Sequence, residues 1–199
     1  MQYPGRQDRY REPMPADLRT LAAAIAAELD RPGGPPRAFL GHSMGAVVAY
    51  ETARALGPGT RPTTLFASGR RAPSSSRDDR IHRLTDARVV EEVLSLGGTE
   101  AQVLLDPDVR QMVLPVIRSD YQLIETYEHV SGPPLELPIV VLVGEQDAMT
   151  TTEEAQAWRE HTTGSFAVHR LAGGHFFLSE DPRAVADVLL TSLDRGGGV

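Results

Sequence analysis

Residues 41–45, Gly41-His42-Ser43-Met44-Gly45, stand between a short apolar run, Ala38-Phe39-Leu40, and an Ala- and Val-rich stretch from about Met44 to Leu56. A Gly-x-Ser-x-Gly pattern flanked by strand and helix holds its serine on a tight strand-to-helix turn, with the backbone outside the comfortable regions of φ and ψ. A Cβ at Gly41 or Gly45 is then expected to collide with the adjoining strand or helix. The Ser43 hydroxyl is lifted clear of the sheet, beside the first helical N–H groups, where an oxyanion is stabilised. Five residues match many chains by chance, and it is the strand before and the helix after that point to a nucleophile.

The rest of the chain repeats the alternation of strand and helix. Asp17 caps a predicted helix in which Leu18, Leu21, Ala22, Ile25 and Leu29 recur at helical spacing, and Pro32-Gly33-Gly34-Pro35-Pro36 ends it. Gly57-Pro58-Gly59 stops the elbow helix, and Thr63 to Ser68 reads as a second strand. Leu137 to Val143 is continuously apolar, as a strand covered on both faces should be, and Phe166 to Leu171 gives a fourth strand. Thr150 or Thr151 with Glu153 or Glu154 offers a capping box for a helix carrying Trp158. Asp181-Pro182 opens a last helix with Val185, Val188 and Leu189 on its apolar face, and the Gly-Gly-Gly-Val end is expected to fray. This pattern predicts an α/β fold, a mostly parallel sheet with helices on both faces.

Residues 70–132 break the alternation. A loop, Ala72-Pro73-Ser74-Ser75-Ser76, is followed by two helical segments near Asp86–Leu96 and Pro107–Val130. An insertion at this point falls over the carboxyl ends of the strands and is read as a helical lid; two plain outer-layer helices are the alternative.

Open α/β sheets place their sites beyond the carboxyl ends of the strands. Ser43, Asp147 just after the third strand and His175 just after the fourth all fall there, in the order Ser, Asp, His used by α/β-hydrolases. In this reading His175 deprotonates Ser43, Asp147 fixes the imidazole tautomer, and the backbone N–H of Met44 contacts the oxyanion. Glu145, in the same Gly144-Glu145-Gln146-Asp147 turn, is the alternative carboxylate, and a capped turn is the structural one. Gly173 and Gly174 free the backbone of the loop that carries His175. His42 is assigned to packing, and His82, His129, His161 and His169 to surface or structural roles.

Composition removes other chemistries. The 199 residues fit one domain, 1–199, and contain no cysteine, which excludes disulfides, thiolate catalysis and Cys-ligated metals. All 20 basic residues are arginine, so Schiff-base and lysine phosphate-loop chemistry are excluded, and a net charge of −7 argues against nucleic acid as the main partner. No pair of residues has metal-ligand spacing, and no cofactor is expected. No apolar stretch is long enough for a bilayer and the N-terminus has no secretory core, so a cytoplasmic location is the default.

With these residues in place, the chain resembles the type II, stand-alone thioesterases of polyketide and nonribosomal-peptide biosynthesis. The segments that carry the resemblance are Tyr3-Pro4-Gly5-Arg6-Gln7-Asp8-Arg9, Gly41-His42-Ser43-Met44-Gly45-Ala46, Gly144-Glu145-Gln146-Asp147 and Gly174-His175-Phe176-Phe177. The resemblance implies an α/β-hydrolase that removes stalled or aberrant acyl groups from the phosphopantetheine thiol of acyl or peptidyl carrier proteins, with a lid over the acyl channel. It breaks at the front, where the family places a strand, a Gly-containing loop and a helix, about forty residues of the βα type, ahead of the Pro-Gly-Arg segment. The expectation is therefore an N-terminally incomplete member, from a misassigned start or a truncation. Its elbow strand would lose a neighbour and its oxyanion hole a donor, at a cost of about 10²–10³ in rate.

Arg70, Arg71, Arg77, Arg80, Arg83 and Arg88 concentrate positive charge near the expected mouth of the site. They read either as a landing strip for an acidic carrier protein or as a loop balanced by Asp78, Asp79 and Asp86. The rival activities are a small-molecule carboxylic esterase or lipase-like hydrolase, and a catalytically impaired remnant that still binds carrier proteins.

Overall fold

The computed structural model describes residues 1–31, 33–35, 37–97 and 104–196. Four strands form one sheet in the order β1 (Ala38–His42), β2 (Thr64–Ser68), β3 (Ile139–Gly144), β4 (Phe166–Leu171), and every pairing is parallel. Among the described residues seven α-helices accompany them: α1 (Leu18–Leu29), α2 (Met44–Ala55), α3 (Asp86–Ser95), α4 (Pro107–Glu125), α5 (Thr152–Gln156), α6 (Phe177–Glu180) and α7 (Pro182–Gly196). The first and last prolines of the predicted 32–36 stop, Pro32 and Pro36, and residues 197–199 of the glycine-rich end lie outside the described residues.

Side chains alternate across the two central strands, and both faces are covered. Leu65, Ala67, Ile139 and Val141 pack with Ala46, Tyr50 and Ala53 of α2 and with Trp158, which is fully buried. On the other face Phe66, Val140 and Leu142 pack with Phe177 and with Val185 of α7. β2 and β3 are buried along their whole lengths, as strands covered on both faces must be. β1 is an edge of the sheet, and its Leu40 is 46% exposed.

Local chemistry explains most element boundaries. The Asp17 side chain accepts from Thr20 N–H and starts α1, and Thr151 and Glu154 close the capping box that starts α5. Trp158, however, lies in the 3-10 segment Ala157–His161 that follows α5 rather than in the helix itself. Asp181 caps α7 through Ala184 N–H, and the one-turn α6 before it had no periodic signal to reveal it. β3 starts at Ile139, two residues later than its apolar run, because Pro138 carries no N–H to enter the ladder.

Between β2 and β3 no strand occurs among the described residues. α3 matches its predicted span to within a residue, whereas α4 ends at Glu125 rather than near Val130. Thr126 folds its hydroxyl back to Gln122 O, and Tyr127 leaves the helix to donate to Glu51. α3 and α4 share a small core of their own, built from Val89, Val90, Leu104 and Leu114. The six residues 98–103 between them lie outside the described residues. No described helix is long and apolar enough to cross a membrane.

Candidate active site

Ser43 occupies the turn from β1 into α2 with φ 52° and ψ −122°, one of three non-glycine residues with positive φ among those described. The conformation is held from both sides. Ser43 N–H donates to Ser68 O at the end of β2 (2.8 Å), and its own carbonyl accepts Ala46 N–H (3.0 Å). A Cβ on Gly41 would stand 2.1 Å from Gly45 O and 2.6 Å from Ala46 N, so strand and helix meet backbone to backbone. Gly45 differs from the expectation: a Cβ there would have Tyr3 Oη as its nearest neighbour, at 3.8 Å, which is ordinary contact. It is the main chain of Gly45, not its missing side chain, that crowds the elbow. No side chain caps α2, so the N–H of Met44 is among those that helix geometry leaves without an intrahelical partner.

Asp147 and His175 meet beyond the ends of β3 and β4. Both carboxylate oxygens of Asp147 lie 3.1 Å from His175 Nδ1, and Oδ1 also accepts Met149 N–H at 2.9 Å. The Asp147 side chain is wholly buried, whereas Glu145 in the same turn is exposed and makes no contact with the imidazole. With Nδ1 engaged, Nε2 is the nitrogen available to the cavity that Ser43 and His175 both line. The loop before His175 turns at Gly173, whose φ of +111° suits glycine and whose absent Cβ would sit 2.4 Å from Glu180 Oε2.

His42 packs as expected, but its packing partner is His175, with ring centroids 4.8 Å apart, and its Nδ1 lies 3.0 Å from Ser68 Oγ. Burial, and then the neighbouring His175, pushes the His42 imidazole down to about 4, so it is neutral at physiological pH. His161 is structural rather than surface. It is buried between Tyr50 Oη (3.1 Å) and Ser74 Oγ (2.9 Å), and burial likewise lowers it to about 4.

The cavity holding Ser43 and His175 measures about 810 Å³. One wall comes from α3, α4 and the residues around them, including Val93, Leu96, Val113, Ile117 and Tyr121. A second cavity of about 380 Å³, lined by Arg77, Glu92 and Gln146 among others, also reaches His175. Two residues of the first cavity carried no chemical signal in the sequence. Arg6, which followed only from the resemblance, forms a two-pronged ion pair with Asp120 of α4 (2.7 and 2.8 Å), fastening the Pro-Gly-Arg segment to that helix.

The arginine strip divides. Arg70 and Arg71 are only 8% and 3% exposed, so neither belongs to an external surface; they follow the buried β2 directly and turn inward with it. Arg71 pairs with Asp79, Arg77 with Glu154, Arg80 with Asp78 and Arg88 with Glu91. Asp86, placed opposite these arginines by the sequence, pairs instead with Arg118 of α4. Arg80, Arg83 and Arg88 remain exposed.

The thioesterase domain family matches residues 1–193. A probable cadicidin biosynthesis thioesterase of Streptomyces griseus is 48% identical over 186 residues, 93% of this chain and 52% of its own. Thioesterase PikA5 of Streptomyces venezuelae is 42% identical over 183 residues, 90% of this chain and 65% of its own. The chain thus spans about half the length of the first relative and just under two thirds of the second. Among solved structures, the type II thioesterase BorB from the borrelidin biosynthetic cluster superposes with a TM-score of 0.87 at 42% identity, covering 96% of this chain and 78% of BorB.

Proposed function

The chain belongs to the thioesterase family, and from that premise we propose that it hydrolyses acyl thioesters carried on the phosphopantetheine arm of carrier proteins in polyketide or nonribosomal-peptide synthesis. One observation carries the reading. A serine held at positive φ on a strand-to-helix elbow shares a cavity of about 810 Å³ with an imidazole whose far nitrogen is fixed by a buried carboxylate. The thioesterase names of two Streptomyces relatives support that substrate class.

In the mechanism, Asp147 holds the His175 tautomer with its proton on Nδ1, which leaves Nε2 free to accept one. Nε2 takes the Ser43 hydroxyl proton as Oγ adds to the thioester carbonyl, and the oxyanion faces the Met44 N–H at the start of α2. Collapse breaks the carbon–sulfur bond, and the imidazolium returns its proton to the departing pantetheine thiol. Water, deprotonated by the same nitrogen, then adds to the acyl-serine; the acid is released and Ser43 recovers its hydrogen. Every proton moves through His175, and no cofactor enters.

The helices of residues 70–132 act in this proposal as a lid. The support is that α3 and α4 contribute an apolar wall to the cavity and carry their own small core, so they are able to shift as a unit.

The test compares the unmutated protein with Ser43→Ala on an acyl-loaded carrier protein, a small acyl thioester and a p-nitrophenyl ester. Loss of at least about 10³-fold in turnover is expected for the variant. Unchanged turnover sinks Ser43 as nucleophile. A p-nitrophenyl ester cleaved better than either thioester favours the esterase reading instead.

A further inference from the structure

Arg70 stands out once the ion pairs around it are followed. It is 8% exposed, lines the cavity that holds Ser43 and His175, and its side chain makes no hydrogen bond or ion pair with any described residue. Its main chain is fixed, because the carbonyl accepts the Trp158 indole N–H at 2.8 Å. The carboxylates around it are already engaged. Asp79 goes to Arg71, Glu154 to Arg77 through both oxygens, and Asp120, which lines the same cavity, to Arg6 through both of its own. Asp79 and Glu154 are the anions that act on Arg70, and both act from a distance, while Arg71 and Arg77 oppose them. Burial, and then Arg71, lowers the guanidinium to about 10, which still leaves it charged at neutral pH. A desolvated cation without a counter-ion is costly, and an anion entering the cavity offsets that cost.

We propose that Arg70 forms an anion-binding subsite of the acyl cavity, reading a carboxylate at the far end of a dicarboxylic acyl group. The proposal rests on the thioesterase reading for the identity of the substrate. A phosphate is the other anion that such a substrate brings. The pantetheine phosphate is esterified to a folded carrier protein and stays near the surface of the complex, whereas Arg70 is enclosed and meets only what passes into the cavity. Tyr121, which also lines the cavity and senses the Arg70 charge, supplies a phenol hydroxyl on the same side. The same cavity is lined by Leu96, Leu104 and Ile117, and Arg6 and Asp120, which also line it, are paired with each other.

The experiment separates binding from turnover. In the full chain carrying Ser43→Ala, affinities are measured by calorimetry for three non-hydrolysable thioethers: S-propyl-pantetheine, S-(2-carboxyethyl)-pantetheine and S-propyl-phosphopantetheine. The carboxyethyl compound is expected to bind at least about tenfold tighter than the propyl compound, the gain typical of one charge-assisted pair. Adding Arg70→Met removes that advantage, and Arg70→Lys, which keeps the charge without the planar fork, retains part of it. Equal binding of the propyl and carboxyethyl compounds overturns the proposal even if Arg70→Met fails to fold. So does an advantage that survives the substitution. A gain confined to the phosphorylated compound and lost with Arg70→Met assigns the residue to the pantetheine phosphate and overturns the acyl assignment. Hydrolysis of propionyl-pantetheine by the unmutated protein reports separately on the thioesterase reading. Turnover with equal thioether binding sinks the subsite alone, and a carboxylate preference without turnover sinks the reading alone.

Discussion

His42 and His175 face each other across 4.8 Å, one imidazole kept neutral by burial and the other tied to Asp147. The first is a wall against which the second packs. His42→Ala opens that wall and lets the base swing, so kcat for a small acyl thioester should fall about 10- to 100-fold. His42→Phe, which keeps a ring in place, should retain most of it. Full activity in the alanine variant, with an unchanged melting temperature, would refute the positioning role.

Asp147 and Glu145 give opposite expectations from one turn. Asp147→Asn reverses the hydrogen-bond polarity at Nδ1 and should lower kcat by about 10⁴. Glu145→Gln alters an exposed group and should leave kcat within about twofold. Steady-state assays of both variants decide between the two carboxylates.

Gly41 and Gly45 separate in the same way by stability. Gly41→Ala places a methyl 2.1 Å from the Gly45 carbonyl oxygen, where only main chain is available to move, and should cost about 3 kcal/mol or more. Gly45→Ala has room and sits at the start of α2, so it should change stability by less than about 1 kcal/mol, with a gain as the expected sign. Denaturant titrations that ranked the pair in reverse would contradict the close approach described for the elbow.

Acid should weaken the fold over a defined window. His42 and His161 take a proton near 6.5 when unfolded but only near 4 in the folded protein. Between those values the unfolded chain binds more protons, so stability falls as pH drops from 6.5 to 4 and this contribution levels off below. His161→Gln, which can still bond Tyr50 and Ser74, should make the dependence shallower by one proton. Midpoints measured at pH 7, 5.5 and 4.5 check the slope, and an unaltered slope in the variant removes His161 as a source.

Arg80 and Arg83 are the exposed members of the arginine strip that adjoin α3. Reversing both to Glu should weaken hydrolysis of carrier-bound acyl groups about tenfold or more at low salt and leave a small acyl thioester unaffected. Equal losses on both substrates would rule out carrier docking at this surface.

The sequence made most of this arrangement legible wherever a residue's role is local. Strand, elbow and helix around Ser43 were written in apolar runs and glycines, and the caps at Asp17, Thr151 and Asp181 set their helix starts. The contact between Asp147 and His175 was readable because open α/β sheets gather such residues at one end. Arg70 was misplaced because an arginine after a strand looks the same whether the chain then turns outward or inward; Trp158 and the paired carboxylates decide it, and they are remote in sequence. The Arg6–Asp120 pair spans 114 residues and left no periodic trace at either end. Gly45 was assigned a clash because the motif does not say which partner of a close contact provides the bulk.

The backbone contact at Gly41 also limits how this site can diversify. With Gly41 pressed on Gly45 and Ala46, and Ser43 N–H committed to Ser68, the reacting end of the cavity is joined to the sheet through main chain that mutation cannot trim. The opposite wall is side chain: Leu96, Val113, Ile117 and Tyr121 lie on or beside helices with a core of their own. Substitutions that accumulate across lineages should therefore concentrate on that wall and alter which acyl groups fit, while the elbow passes from one descendant to the next unchanged. Directed evolution toward a new acyl group has the same map, with libraries placed on α3 and α4 and residues 41–46 left alone.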